Sequence, residues 1–470
     1  MPQSIHTKRS SEVLAQLDKR GVVHGFSALH TQAQKEVVFF ESAQGVWLQD
    51  TRGRRFLDAA GGLWCVNAGY GRQSIVDAAV TQMEQTGFLH SFANFSHEAL
   101  VLLTEKLLSL APTGFDRIFN GLSGSDANDT QIKLVRRYNN IRGKTQKKKI
   151  IARRHAYHGS TIGAGSLTGI PAVHRTFDLP IPGILHASAA DFYRRSDDAL
   201  DEEGFSQLLA DELEALIESE GPDTIAAFIA EPICGSGGVL VPPKDYFKKI
   251  GQVLRKHDVL MIADEVITGF GRTGQWFASP QMDIRPDLMT ISKGLTSGYF
   301  PMSGCLISKA ITEALYSEHE SDGAFAHGFT SCGHPVGARV ALANIDILES
   351  EALPQNAAVV GNYLAEQLRE RLGSYEWVGD IRGEGLLLAV EFSRDKAKRA
   401  PFGDAAKAAA FVIQSCFEEG LIVRGASGRV IAAMAPPLVL TNGEADELAD
   451  RLEKAVGKFA KAAAAGTFDR

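Results

Sequence analysis

The sequence predicts an α/β protein: a mostly parallel sheet with helices on both faces, in a chain of more than one domain. Three observations predict it. Short runs almost wholly apolar, at 150–152, 225–230, 259–263 and 288–291 (where Thr290 is the one polar residue), alternate with longer segments of helical period. A strand with no polar face is buried on both sides, which crossover helices achieve for a parallel sheet. The third is length, since 470 residues exceed what one hydrophobic core usually serves.

In chain order, the stretch to about Gly69 carries short strand patterns broken by Gly and Asp turns, as in GVWLQDTRGRRFLDAAGG at 45–62. The strand–helix alternation begins near Gly71. Helical periods cover 129–141 and 244–256, and another starts at Pro335 and runs to about Glu349. Beyond it the pattern is mixed, with RGEGLLLAVEF at 382–392 reading as one strand. Leu448, Leu452, Val456 and Phe459 mark an amphipathic C-terminal helix, and the final AAAAGTFDR reads as a frayed end.

Composition excludes several classes. A net charge of −7 offers no general attraction to nucleic acid or an anionic membrane. The one basic run, KTQKKK at 144–149, reads as a solvated loop. No apolar stretch reaches membrane-spanning length and the N-terminus has no apolar signal core. Five cysteines without a C-x-x-C pair point to free thiols in a reducing cytoplasm. His155 and His158 have no third ligand at suitable spacing, so no metal is expected.

Three of the apolar runs end in groups that do chemistry. Asp264 follows 259–263, Glu231 follows 225–230, and Lys293 follows 288–291 after Ser292. Ligands of open parallel sheets bind beyond the carboxyl ends of the strands, so the three are expected to share one site. Upstream, NGLSGSDANDTQIKLVRRYNN at 120–140 runs from glycines and serines into a helix. Free N–H groups at such a start make an anion site. GFGRTG at 269–274 matches a dinucleotide fingerprint, but a proline-containing segment without helical period follows it. A lysine, an acid and a phosphate cradle together suggest pyridoxal 5′-phosphate. The lysine bonds the aldehyde, the acid pairs with the pyridine nitrogen, and the helix start holds the phosphate.

The motifs resemble those of the class III, or omega, aminotransferases of PLP fold type I. DEVITGFGRTG is followed by SKG, with Lys293 29 residues after Asp264. GGLWCVNAGYG, SGSDAND, AYHGST, AEPICGSGGV, HGFTSCGHPVGA, GLIVRGA and APPLVLT stand in family order, so the resemblance covers nearly the whole chain and is closest to the amine–pyruvate and beta-alanine–pyruvate branch. It implies an aspartate-aminotransferase-like large domain and a smaller α+β domain made from both termini. The boundaries expected are 1–69 for the N-terminal part of the small domain, 70–345 for the large domain and 346–470 for the C-terminal part. It also implies a homodimer or higher homo-oligomer with shared active sites.

Residue by residue, the resemblance makes Lys293 the cofactor-binding lysine and proton shuttle, and Asp264 the partner of the pyridine nitrogen. Tyr157 and Val266 flank the ring. Gly124 and Ser125 bind the phosphate, with Thr330 reaching it from the partner subunit. Trp64, Phe88 and Phe26 wall the substrate pocket, with the loop at Ser236 shaping it. Arg424 resembles a mobile arginine that pairs with a substrate carboxylate. Glu231 matches the glutamate of the family's EP motif. Two departures stand out: Asp126 where glutamate is usual, and FTSCG around Thr330 where YTYSG is usual. The expected activity is transfer of an amino group from a primary amine or omega-amino acid to a 2-oxo acid, pyruvate first among them, by a ping-pong mechanism. A decarboxylase or aminomutase would use the same lysine and aspartate. A non-catalytic PLP-fold regulator is the alternative from another class.

Overall fold

The computed structural model describes residues 9–32, 34, 36–317 and 324–469. At its centre is a seven-stranded sheet in the order Phe115–Gly121, Ser303–Ser308, Leu288–Ile291, Leu260–Asp264, Ile225–Ala230, Lys149–Arg153, Ile184–Ala187. The last five are mutually parallel. Ser303–Ser308 runs antiparallel to both its neighbours. Every residue of Ile225–Ala230, Leu260–Asp264 and Leu288–Ile291 is buried, as their largely apolar sequences require. Phe205, Leu209 and Leu213 of the helix Glu202–Glu220 join Phe247, Ile250 and Leu254 of Tyr246–Lys256 to cover one face. Leu134, Val135 and Leu167 pack on the other.

The helix expected over 129–141 spans Gly124–Ile141. Its start lies upstream of the apolar period because polar residues set it. Ser123 caps the helix and Asp126 closes a capping box. That acid also accepts from Leu122 N and from Ser303 Oγ at 2.9 Å, so the shorter side chain still ties the loop to the sheet.

Two four-stranded sheets use the chain's ends. One pairs Phe40–Gln44, Trp47–Asp50 and Arg55–Asp58 with Leu421–Ile422, the last running parallel to Arg55–Asp58. The other orders Val378–Glu384, Leu387–Phe392, Arg429–Met434 and Arg424–Ala426. RGEGLLLAVEF is therefore two strands rather than one. Gly385, at φ +56, makes the turn between them, just ahead of the apolar residues that begin at Leu386.

Two further expectations are corrected. The C-terminal end is packed: Phe468 is fully buried and stacks on Phe459 at 5.0 Å, its burial outweighing the fraying of a short tail. The KTQKKK run is not wholly solvated, since Lys147 is buried and donates to the carbonyls of Ile225, His257 and Asp258. GFGRTG serves the fold. Arg272 is fully buried and donates to the carbonyls of Leu386 and Pro436 and to Asn67 Oδ1, tying the central unit to both chain ends. Among the described residues no helix is long and apolar enough to cross a membrane.

Candidate active site

The adjacent strands Ile225–Ala230, Leu260–Asp264 and Leu288–Ile291 end level with one another. Their carboxyl ends deliver Glu231, Asp264 and Lys293 to one cavity of about 370 Å³. Gly124, Tyr157 and Val266 line it too. A larger open cleft of about 730 Å³ lies between 54–56 and the C-terminal helix Asn442–Ala464, with no such convergence.

Lys293 sits at φ +44, a left-handed conformation rare for a side chain of this size. Such strain concentrates where a side chain is aimed for function. Burial pushes its ammonium below the usual 10.5, while Asp264 and Glu231 push back. Asp264 receives three donors: Asn128 Nδ2 at 2.9 Å and His158 Nδ1 at 2.8 Å on Oδ2, and Val266 N at 3.1 Å on Oδ1. Glu231 accepts from Tyr157 N and Gly235 N, at 3.0 and 2.9 Å. Burial raises its carboxyl above the usual range, so it serves as a buried brace for two loops.

The helix start faces the same cavity. Gly124 N and Ser125 N take no acceptor among the described residues, and Ser125 Oγ accepts from Ser160 N at 3.0 Å. A Cβ on Gly124 would stand 3.1 Å from Val266, and Gly159 holds φ +140 with Ser125 beneath it. Both glycines keep the cradle open.

Other expected residues lie at varied distances from this centre. Arg424 begins Arg424–Ala426 opposite Ala433, is exposed, and is near enough to act on the charge of Lys293. Phe26 stands edge-on to Tyr157 at 6.3 Å. Phe88 is exposed and meets His334, which in turn meets the cavity-lining Phe300. Trp64 is buried with Ile233 and the cavity-lining Ile267 and does not itself line the cavity, whereas its neighbours Leu63 and Cys65 do. The cause is the kinked backbone at 61–65, where Trp64 has φ +61. Ser236 is half-buried on the loop held by Glu231 and does not line the cavity. Thr330 is exposed and outside this chain's own cavity.

Sequence reasoning assigned no role to Asn128 or His158. Asn128 had a signal, standing one helical turn after Gly124 on the same face. His158 had only its place beside Tyr157. The group Glu214, Glu218 and His257, whose potential ligand atoms lie close together, is remote from the cavity on Glu202–Glu220 and beyond Tyr246–Lys256.

The residues fit pyridoxal phosphate. A helix start with two free N–H groups matches a phosphate, Tyr157 and Val266 leave a slot for a flat ring, and Asp264 Oδ1 has a lone pair beyond its one donor. Lys293 supplies the amine. An open parallel sheet with lysine, aspartate and phosphate cradle around one cavity defines a pyridoxal-phosphate enzyme of fold type I.

The comparisons carry this to the family. The model of aminotransferase class-III matches residues 29–456. The diaminobutyrate–2-oxoglutarate transaminase of Halomonas elongata is 44% identical over 421 residues, covering 89% of this chain and 90% of its own. The putrescine–pyruvate aminotransferase of Pseudomonas aeruginosa is 42% identical, covering 91% and 92%. The omega transaminase of Pseudomonas jessenii, solved in complex with PMP, superposes with a TM-score of 0.93 at 40% identity, over 95% of this chain and 98% of that one. The chain belongs to the class-III aminotransferases and is a pyridoxal-phosphate-dependent transaminase.

Proposed function

We propose that the chain moves an amino group from a primary amine or omega-amino acid to pyruvate. The observation that carries the choice of acceptor is the charge around the cavity. Arg424 bears on Lys293, and apart from Lys293 and His158 the side chains lining the cavity among the described residues include no basic group. One arginine suits an acceptor with one carboxylate. An acceptor with two, such as the 2-oxoglutarate of the Halomonas relative's name, would leave its second charge unpaired. The Pseudomonas aeruginosa relative, named for pyruvate, supports the same reading.

The roles follow. Gly124 N and Ser125 N hold the phosphate, Tyr157 and Val266 confine the ring, and Asp264 Oδ1 faces its nitrogen. When bound, pyridoxal phosphate supplies the aldehyde that takes up the amino group and the ring that delocalises the electron pair left on carbon. Lys293 Nζ anchors the aldehyde. Once displaced, it would carry the proton from the donor's α-carbon to the cofactor's aldehyde carbon and, in the second half-reaction, carry it back from there to the acceptor's. Burial favours the neutral amine that this needs. Glu231 braces Tyr157. Arg424 pairs with the acceptor's carboxylate and turns to solvent for an uncharged amine. Phe26, Phe88 and Ser236 bound the donor from the rim, and Trp64 supports the wall formed by Leu63 and Cys65.

The working unit is a homodimer. Val76, Val80 and Met83 form an exposed apolar stripe on the helix Gln73–Thr86, and Phe88, Phe92 and Phe95 follow it. A second copy would cover this stretch and let Thr330 complete its neighbour's phosphate site. Free cysteines accord with the cytoplasm. The domains divide at 69/70 and 345/346.

The test is an acceptor panel on the amine-loaded enzyme. Pyruvate should restore the aldehyde form fastest with every active donor. Turnover with 2-oxoglutarate and none with pyruvate would overturn the assignment.

A further inference from the structure

Behind Asp264 lies a chain of hydrogen bonds none of whose outer members reaches the cavity. Asn128, Gln131 and Thr290 are fully buried. Asn128 Nδ2 donates to two acceptors, the His158 carbonyl at 2.7 Å and Asp264 Oδ2 at 2.9 Å. Two acceptors on one side fix the amide, so its oxygen must face away. There Thr290 Oγ1 donates to Asn128 Oδ1 at 2.7 Å. The single hydroxyl proton is then spent, and the Thr290 oxygen accepts from Gln131 Nε2 at 3.0 Å. The donors run in one direction: Gln131 to Thr290, Thr290 to Asn128, Asn128 to Asp264.

Gln131 makes this direction informative. Its Oε1 is buried with no partner among the described residues. Leaving such an atom unsatisfied is unfavourable, and an apolar side chain would pack there without that penalty. The unsatisfied oxygen follows from aiming the NH₂ end at Thr290. A chain of aligned donors strengthens its last member, the bond to Asp264.

Resting on the reading of Asp264 as the partner of the ring nitrogen, we infer that Asn128 and Thr290 are positioning residues that set where the proton lies between that carboxylate and the ring nitrogen of bound pyridoxal phosphate. A carboxylate that loses a donor draws the shared proton toward itself and away from the ring.

The test uses apoenzyme reconstituted with pyridoxal phosphate labelled with ¹⁵N in the ring. In Thr290→Val, isosteric but without the hydroxyl, the ¹⁵N signal should move from the pyridinium toward the pyridine position, and cofactor affinity should fall about tenfold. Thr290→Ser should restore both. Asn128→Ala should move the signal further, and it carries the test if Thr290→Val does not fold. A lower affinity or melting temperature with the ¹⁵N signal unmoved in both variants would make the chain merely structural and overturn the inference. Asp264→Asn is run beside them. A shifted signal there with none in Thr290→Val and Asn128→Ala sinks this inference alone, whereas an unmoved signal in Asp264→Asn removes the reading of Asp264 and the inference with it.

Discussion

At Lys293 a strained backbone and an unfavourable burial meet in one residue. The unfolded chain holds the ammonium proton up to about its ordinary 10.5, whereas the folded chain releases it at lower pH because of burial. Between those values the unfolded state binds more protons, so stability rises with pH across the window. Lys293→Met should lose all transamination, yet its apoenzyme should be more stable than wild-type apoenzyme at neutral pH. The gap should close as pH rises toward 10.5. Urea midpoints of the two apoenzymes measured across pH check this; a constant gap would contradict it. Arg424 poses the opposite case of an exposed charge, proposed to act only when substrate arrives. Arg424→Ala should raise the KM for pyruvate roughly 10- to 150-fold, the worth of a charge-assisted hydrogen bond. The half-reaction with an amine lacking a carboxylate should be unchanged, and single-turnover kinetics of each half separates the two.

At the scale of an element, the helix Gly124–Ile141 does two jobs with one terminus. Ser123 and Asp126 close the cap from one side, and the N–H groups of Gly124 and Ser125 stay open on the other. Ser123→Ala should cost about 1 kcal/mol of stability, as cap removal does. It should also weaken pyridoxal phosphate binding, because the N–H groups are no longer held in register. Thermal melts with and without cofactor test this, and the variant's loss should be larger in the loaded enzyme. An equal loss in both forms would confine Ser123 to the fold.

For the whole molecule, the exposed apolar stripe at Val76, Val80 and Met83 and the position of Thr330 outside its own cavity make one prediction. Light scattering should give at least a dimer, and dilution to monomer should release cofactor; an active monomer would refute the shared site. At the opposite end of the chain, Phe468→Ala should destabilise by about 3–5 kcal/mol, since the ring fills a core with Phe459, Phe402 and Phe411. A melting temperature unchanged in that variant would return the tail to a frayed state.

The parallel sheet and the residues at its strand ends were legible in the sequence. The runs at 225–230 and 288–291 appear as strands with those bounds, because burial on both faces leaves them apolar but for Thr290, whose hydroxyl is paired inside the fold. Asp264, Glu231 and Lys293 were legible for the same reason, the first two standing where such a run stops and Lys293 one residue beyond. What the tertiary structure decided lies where partners are distant along the chain. Trp64 turned away from the cavity through a backbone kink, and Gly385 turned the chain back on itself in a hairpin. Arg272 was buried by carbonyls from both chain ends, and Asn128 met Thr290 and Asp264 across 162 and 136 residues. Local periodicity reports which side of an element faces a core. It does not report which other element stands there, and hydrogen-bond direction depends on that.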